Sequence, residues 1–328
     1  MKSDLEGLQV ALKGSLDFID AHLKSVGASE VEECLSSKPI NPAVCVSPQS
    51  ILQQCTDVCD AHIAKSKPTL RIVHHLACSG GSIFSRCLAA MPNVYLLSEA
   101  HPYSNLHIGD GKAKYLPTDI VTLAKYAAVP NHRSLAKTIY ADSIKTTVNH
   151  LSRYGGTLII RDHSHIDFCM DQELPFTGAT VDALEEAFEI LSLLTVRDPI
   201  DSYMSLIKRR WLHFEPKTFD EYCRRYLAFI ECYPASEIIR YEDFVAQPGK
   251  IMRKACKALG ISYAEAFLEI FNLFQVTGES GRNSVESIQP RARREPSTDY
   301  MEEIQASLSY RELATKLHYD SEPGNIST

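Results

Sequence analysis

From Thr69 onward the chain alternates short apolar runs with longer amphipathic stretches, and this alternation restricts the possible folds more than any other feature. The runs are LRIVHHLA, NVYLLSE, TLIIRDHS, LSLLTVRDP and SEIIRYEDF. Each is nearly continuous in apolar character, which suits a strand buried on both faces. Five such runs separated by helical segments predict an α/β domain: a five-stranded parallel sheet covered on both sides, in three α/β/α layers. In open sheets of this kind a ligand sits beyond the carboxyl ends of the strands. Every run ends in polar groups: Cys78-Ser79, Ser98-Glu99, Arg161-Asp162-His163, Arg197-Asp198 and Arg240-Tyr241-Glu242-Asp243. The expectation is one rim that concentrates charge.

Composition bounds what that rim can serve. With 328 residues, 45% hydrophobic and 23% charged, the chain can hold one large domain with appendages or two small ones. A formal charge of −7 gives no reason to expect binding to nucleic acid or to an anionic membrane. An anion site must therefore come from locally gathered arginines. No apolar run approaches the roughly 20 residues of a membrane span, and MKSDLEGLQVALKG lacks the layout of a signal peptide. A cytoplasmic protein is expected. The ten cysteines lie scattered in apolar stretches, as buried thiols do in a reducing compartment. Cys55, Cys59 and His62 share a helical face at metal-like spacings, but Ile51, Leu52, Val58 and Ile63 mark that face as core, and no fourth ligand is evident.

Residues 1–68 read as a helical extension. Ser3 and Glu6 form a capping box, Leu5, Leu8, Leu12, Leu16, Ile19 and Leu23 repeat at three and four, and Gly27 can end the helix. After the polar stretch SSKPINPAVCVSP a second helix starts, with Ser47 as cap and Pro48 in its first position. The α/β core is expected over 69–276, and over 277–328 a basic loop followed by a helix from Thr298 through Leu317 that packs against the core.

Two segments carry anion-binding chemistry. In HLACSGGSIFSRC, Gly80 and Gly81 follow the first strand and precede a convincing helix, so that backbone N–H groups of 80–83 converge at its positive end. Ser79 and Ser82 can add hydroxyl donors. A Walker-type nucleotide loop would read G-x-x-x-x-G-K-[ST]. Here the upstream glycine and the lysine are missing, and Cys78 stands where a cation is expected. In TVRDPIDSYMSLIKRRW, Asp198 and Pro199 cap and start a helix, and Ser205 lies eight residues beyond Arg197. About two helical turns bring Ser202 and Ser205 back toward the rim beside Arg197. An arginine fork with a hydroxyl suits a terminal phosphate dianion.

With these segments in this order, the chain resembles the sulfotransferases that use 3′-phosphoadenosine 5′-phosphosulfate (PAPS), whose fold is similar to that of the P-loop NTPases. CSGGS at 78–82 resembles their 5′-phosphosulfate loop, and Arg197 through Ser205 matches their R-x-x-x-x-x-x-x-S pair for the 3′-phosphate residue for residue. IIRYEDFVAQPGKIMRKACKALGI and the tail SYRELATKLHYD look like further family segments, so the resemblance covers about Thr69 to Asp320. It implies sulfuryl transfer, without a metal, to a hydroxyl or amine of a small-molecule, sugar or lipid acceptor. It also implies donor contacts from Cys78, Ser79, Gly80, Gly81, Ser82 and Ile83, and from Arg197 and Ser205. The basic segment TGESGRNSVESIQPRARREPS would close over the nucleotide with Arg282, Arg291 and Arg293.

Many members carry lysine or arginine at the position of Cys78, against the bridging oxygen of the sulfate. Arg161 and His163 are the candidates to replace it, with Arg86 as a weaker one. Glu99 matches in position the glutamate that serves as base in several carbohydrate- and lipid-directed members, and His101 is the second candidate. His163 and His165, two apart in RDHSHIDF, would face one way in extended chain, where one could steady the transferring group. A zinc site built from them with Asp162 or Asp167 is the weaker reading. The rival functions are a phosphotransferase with Asp162 on a metal, and a relative that binds the nucleotide without chemistry. The acceptor pocket is expected from 102–150 and 211–235, with Tyr103, Trp211 and Phe214 as wall residues.

Overall fold

All five apolar runs are strands: β1 (Thr69–His75), β2 (Val94–Ala100), β3 (Thr157–Asp162), β4 (Glu189–Val196) and β5 (Glu237–Arg240). They form one parallel sheet in the order β2-β3-β1-β4-β5. The computed structural model describes residues 67–104, 118–277, 287–290 and 296–320. The described residues belong to a unit that begins at Lys67. The expected N-terminal helices, with Cys55, Cys59 and His62, lie outside them, as do Arg282, Arg291 and Arg293. No helix among the described residues is long and apolar enough to cross a membrane.

The helices are α1 (Gly81–Ala89), α2 (Ile120–Tyr126), α3 (His132–Ser152), α4 (His165–Phe168), α5 (Ala179–Leu184), α6 (Pro199–Arg209), α7 (Phe219–Glu231), α8 (Tyr241–Ala246), α9 (Pro248–Ala258), α10 (Phe267–Ile270), α11 (Thr298–Ala306) and α12 (Leu308–Leu317). The pleat sorts strand residues onto two faces with a period of two. Leu70 and Ile72 of β1 and Leu158 and Ile160 of β3 meet Ile144 and Leu184 on the side of α3 and α5. Val73 and Ile159 meet Phe84, Leu88, Phe244 and Met252 on the side of α1, α8 and α9. That is the expected sandwich of a sheet between helices.

The same alternation divides two adjacent polar pairs. Val73 pairs with Arg161, and β1 runs parallel to β3, so His75 and Arg161 point to the α1 side. His74 and Asp162 point to the other side, where His74 Nδ1 lies 2.9 Å from Asp162 Oδ2 and both are fully buried.

The C-terminal segment differs from expectation in one respect. A single helix was expected over Thr298–Leu317, but Ser307 takes an extended conformation and caps α12 by accepting the N–H of Tyr310. Its hydroxyl donates to Asp220 at 2.6 Å, which fixes the break against α7. Ile304, Tyr310, Leu313 and Leu317 then share a core cluster with Tyr203, Phe219, Tyr222 and Phe229.

Candidate active site

The crevice opens where β1 gives way to α1, because the chain leaves β1 for neighbours on opposite sides of it. Between His75 and Gly81 the backbone turns sharply, with Cys78 at φ 67° and Gly80 at φ 86°. Ser79 closes the turn on itself: its N–H and hydroxyl both donate to the Leu76 carbonyl, at 3.3 and 2.8 Å. Its hydroxyl is therefore turned inward. Helix α1 starts with no side-chain cap and no acidic residue in its first turn, leaving the N–H groups of Gly81, Ser82 and Ile83 to the rim. Neither glycine has room for a side chain. A Cβ on Gly80 would fall 2.2 Å from Tyr241 Cδ2, and one on Gly81 would fall 2.2 Å from His75 Cδ2. Cys78 packs against the core cluster that contains Leu76, Phe168 and Tyr222.

Arg161 lies against the helix end of this loop. It is 3% exposed, and its Nη2 lies 3.1 Å from Ser82 Oγ and 2.6 Å from Glu99 Oε1. Its Nη1 donates to Ser98 Oγ at 2.9 Å and to the Thr277 carbonyl at 2.8 Å. Its Nε donates to His75 Nε2 at 3.1 Å, and Nη2 lies 2.8 Å from the same nitrogen. Arg86, by contrast, is buried within α1.

Glu99 is placed by an irregularity in the sheet. Ser98 pairs with Arg161 and Ala100 pairs with Asp162, so Glu99 is an extra residue, and it adopts φ 57°. Such bulges re-aim side chains at functional rims, and a non-glycine residue at positive φ is held there by its surroundings. The Glu99 carboxylate reaches Arg161 and, at 3.2 Å, His163 Nε2. Burial raises its pKa above the usual glutamate value, Arg161 opposes that, and Asp162 adds to it.

The bulge changes the side on which His101 falls. Its Nδ1 accepts the Tyr103 N–H at 3.1 Å, so Nε2–H is the donor to Asp167 at 3.1 Å. Asp167 also accepts the Ala179 N–H, which fixes the start of α5. The extended run through His163 and His165 is not made. β3 stops at Asp162 and the chain coils into α4, so that His163 meets Glu99 while His165 is buried beside the His213 ring, centroids 6.0 Å apart. Asp162 lies inside the fold, committed to His74, Ser164 and Thr180. Among the described residues no group of three or more potential ligands could hold a metal.

On the other side of the loop, Asp198 accepts the N–H groups of Ile200 and Asp201 and fixes the start of α6. Arg197 follows β4, and its Nη1 donates to the Cys78 carbonyl at 3.2 Å while its guanidinium lies 5.1 Å from the Tyr241 ring centre. Ser205 is one turn past Asp201 and donates to its carbonyl at 2.7 Å. The buried Arg197 Nε and Ser202 Oγ have no hydrogen-bond partner among the described residues, as suits a place left for an anion. Glu242 braces this corner. Its Oε1 accepts the Asp198 N–H at 3.1 Å and its Oε2 accepts the Tyr319 hydroxyl at 2.7 Å. Of the expected acceptor walls, Phe214 is fully buried under Arg225, whereas Tyr103 lines a cleft of about 410 Å³ with Arg133, Asp167, Gln172 and Asp182.

Sequence reasoning found Glu99, Arg161, His163 and Arg197 through the strand ends. It named Ser98, Tyr241 and Glu242 only as strand ends without a role, and it passed over His75. His75 shares strand parity with Val73, the residue paired to Arg161, a relation that only the strand pairing reveals.

The sequence model of the sulfotransferase family matches residues 73–265. No curated protein matches the chain in sequence. Among solved structures, a sulfotransferase domain from a Synechococcus olefin synthase is similar at 18% identity, over 78% of this chain and 97% of that one, with a TM-score of 0.52. A sulfotransferase domain from the curacin biosynthetic pathway aligns at 14% identity over 77% and 98%, with a TM-score of 0.49. A mouse sulfotransferase complexed with PAP aligns at 14% identity over 76% and 89%, with a TM-score of 0.36.

Proposed function

Because the chain belongs to the sulfotransferase family, matched over residues 73–265, we propose that it carries a sulfuryl group from PAPS to a hydroxyl or amine of a small-molecule, sugar or lipid acceptor in the cytoplasm. The observation that carries this reading is the Arg161 guanidinium, which touches both Ser82 of the loop and Glu99. One cation thus lies between the anion cradle and a carboxylate suited to act as base.

The loop N–H groups of Gly80, Gly81, Ser82 and Ile83 would hold the 5′-phosphosulfate. Arg197 with the Ser202 hydroxyl, and the Ser205 hydroxyl once it turns from the Asp201 carbonyl, would hold the 3′-phosphate. Thr277 is tied to the rim by Ser98 and Arg161, which supports Arg282, Arg291 and Arg293 closing over the nucleotide from the segment that follows. Glu99 takes the acceptor proton as the acceptor oxygen or nitrogen attacks sulfur in line. The new bond to sulfur forms as the bond to the bridging oxygen breaks, and the charge left on the 5′-phosphate is met by Arg161 and the loop amides. His163, whose Nε2 lies 3.2 Å from Glu99 Oε2, would keep that second oxygen oriented. No step calls on a metal. The thiols of Cys87 and Cys169 are pushed up in pKa by burial, which suits packing groups and not nucleophiles.

A thermal-shift comparison tests the reading. PAP at about 100 times its Kd should stabilise the protein by about 2.7 kcal/mol; stabilisation by ATP with magnesium and none by PAP would overturn it. Glu99→Gln should then slow sulfate transfer by about 10²-fold or more while PAP binding persists.

A further inference from the structure

Arg161 needs to be aimed as well as present. One edge of its guanidinium, through Nη1, is set by Ser98 and the Thr277 carbonyl. On the other edge Nε and Nη2 both meet His75 Nε2, and Nη2 also reaches Ser82 and Glu99. The contact with His75 settles the tautomer. Since Nε2 accepts, the ring proton is on Nδ1, and Nδ1 has no partner among the described residues. His75 is 5% exposed. Burial, and then the charge of Arg161, hold its pKa well below the usual histidine range, so the ring stays neutral. Its opposite contact is the loop itself, through the side where Gly81 leaves no room for a Cβ.

We infer that His75 is a positioning residue for sulfuryl transfer, a neutral acceptor that fixes the Arg161 guanidinium against the loop without adding a second negative charge to that of Glu99. The inference rests on the sulfotransferase reading above. A carboxylate in this place would grip arginine as firmly, but it would spend the positive charge that the leaving phosphate requires. Ser82, Ser98, the Thr277 carbonyl and His75 are all neutral partners, and Glu99 is the one carboxylate among the contacts described. Two constrained edges fix the plane of a guanidinium, and a displacement of about 1 Å at such a group can cost about 10²-fold in rate.

The test uses the full chain and does not need the acceptor, because water can take the sulfuryl group. Breakdown of PAPS to PAP and sulfate gives kcat and KM, and calorimetry with PAP gives nucleotide affinity. His75→Phe keeps the ring and removes the acceptor. It should lower kcat by about 30-fold or more while KM and the Kd for PAP move less than about threefold. His75→Gln places an amide acceptor at the reach of Nε2 and should recover kcat to within about fivefold. His75→Asn, whose amide stops short of Arg161, should show the Phe loss without the added bulk, should the Phe variant fold poorly. A kcat within threefold of wild type in both the Phe and Asn variants would overturn the inference. So would a loss of PAP affinity in step with kcat, or a Gln variant no better than Asn, since either marks a packing role. A wild-type protein that neither binds PAP nor releases sulfate would instead overturn the donor reading itself.

Discussion

Cys78 and Arg161 exchange the roles that their places in the chain suggest. At φ 67° the Cys78 side chain turns into the core cluster, and the charge comes from Arg161 on β3, the strand paired directly with β1. Cys78→Lys should therefore fail to restore a loop cation. It should cost about 1–3 kcal/mol through overpacking and a buried charge, measured as a lower denaturant midpoint, with no gain in PAP affinity. A stable variant with tighter PAP binding would show that the position faces the donor after all. Residue identity at the strand ends was readable because polar groups there interrupt otherwise apolar runs. His75 was not, since a histidine inside an apolar run is indistinguishable from a satisfied core residue until its partner is known. The bond from His101 to Asp167 was not legible either. Alternation along β2 is interrupted at Glu99, where an extra residue stands, and a bulge leaves no mark in the order of residue types.

At the level of elements, the strands and the crossing from strand to helix at Gly80 and Asp198 followed from pattern alone, because burial on both faces and helix caps are local requirements. The break at Ser307 did not, because it depends on Asp220 from another helix. β3 illustrates how one strand serves two functions. Its Arg161 faces the site, while Asp162 faces the interior and ties β1 to α5 through His74 and Thr180. Burial alone would raise the Asp162 pKa, but the hydrogen bond and charge of His74 outweigh it, with help from Thr180, and hold it well below the usual carboxylate range. A folded-state pKa below the unfolded one contributes stability that is present above the unfolded value, about 3.9, and lost as pH falls beneath it. Asp162→Asn should lower stability at pH 7 by about 3–5 kcal/mol. Unfolding free energy followed from pH 7 down to pH 3 should also decline less steeply in the variant. An unchanged acid limb would show that this carboxylate does not govern the acid response.

For the molecule as a whole, the C-terminal helices are part of the core and not an addition to it. Ile304, Tyr310, Leu313 and Leu317 are nearly or fully buried, and at about 1.5–3 kcal/mol each they rival the whole stability of about 5–15 kcal/mol usual for a domain. Removing residues 296–328 should abolish cooperative unfolding, as followed by circular dichroism on heating, and not merely weaken nucleotide binding. A truncated chain that still melts sharply would refute this. That a helix here packs against the core was expected from the sequence, but its partners were not legible, because Asp220 lies 87 residues upstream of Ser307. Anyone attaching a tag or a dye to this protein inherits a practical consequence from Glu242, whose two oxygens serve the Asp198 N–H and the Tyr319 hydroxyl. A fusion joined beyond Asp320 leaves that clasp intact. One that trims the chain back past Tyr319 loosens the corner beside Arg197, and the handle added for convenience would then disturb the measurement it was meant to serve.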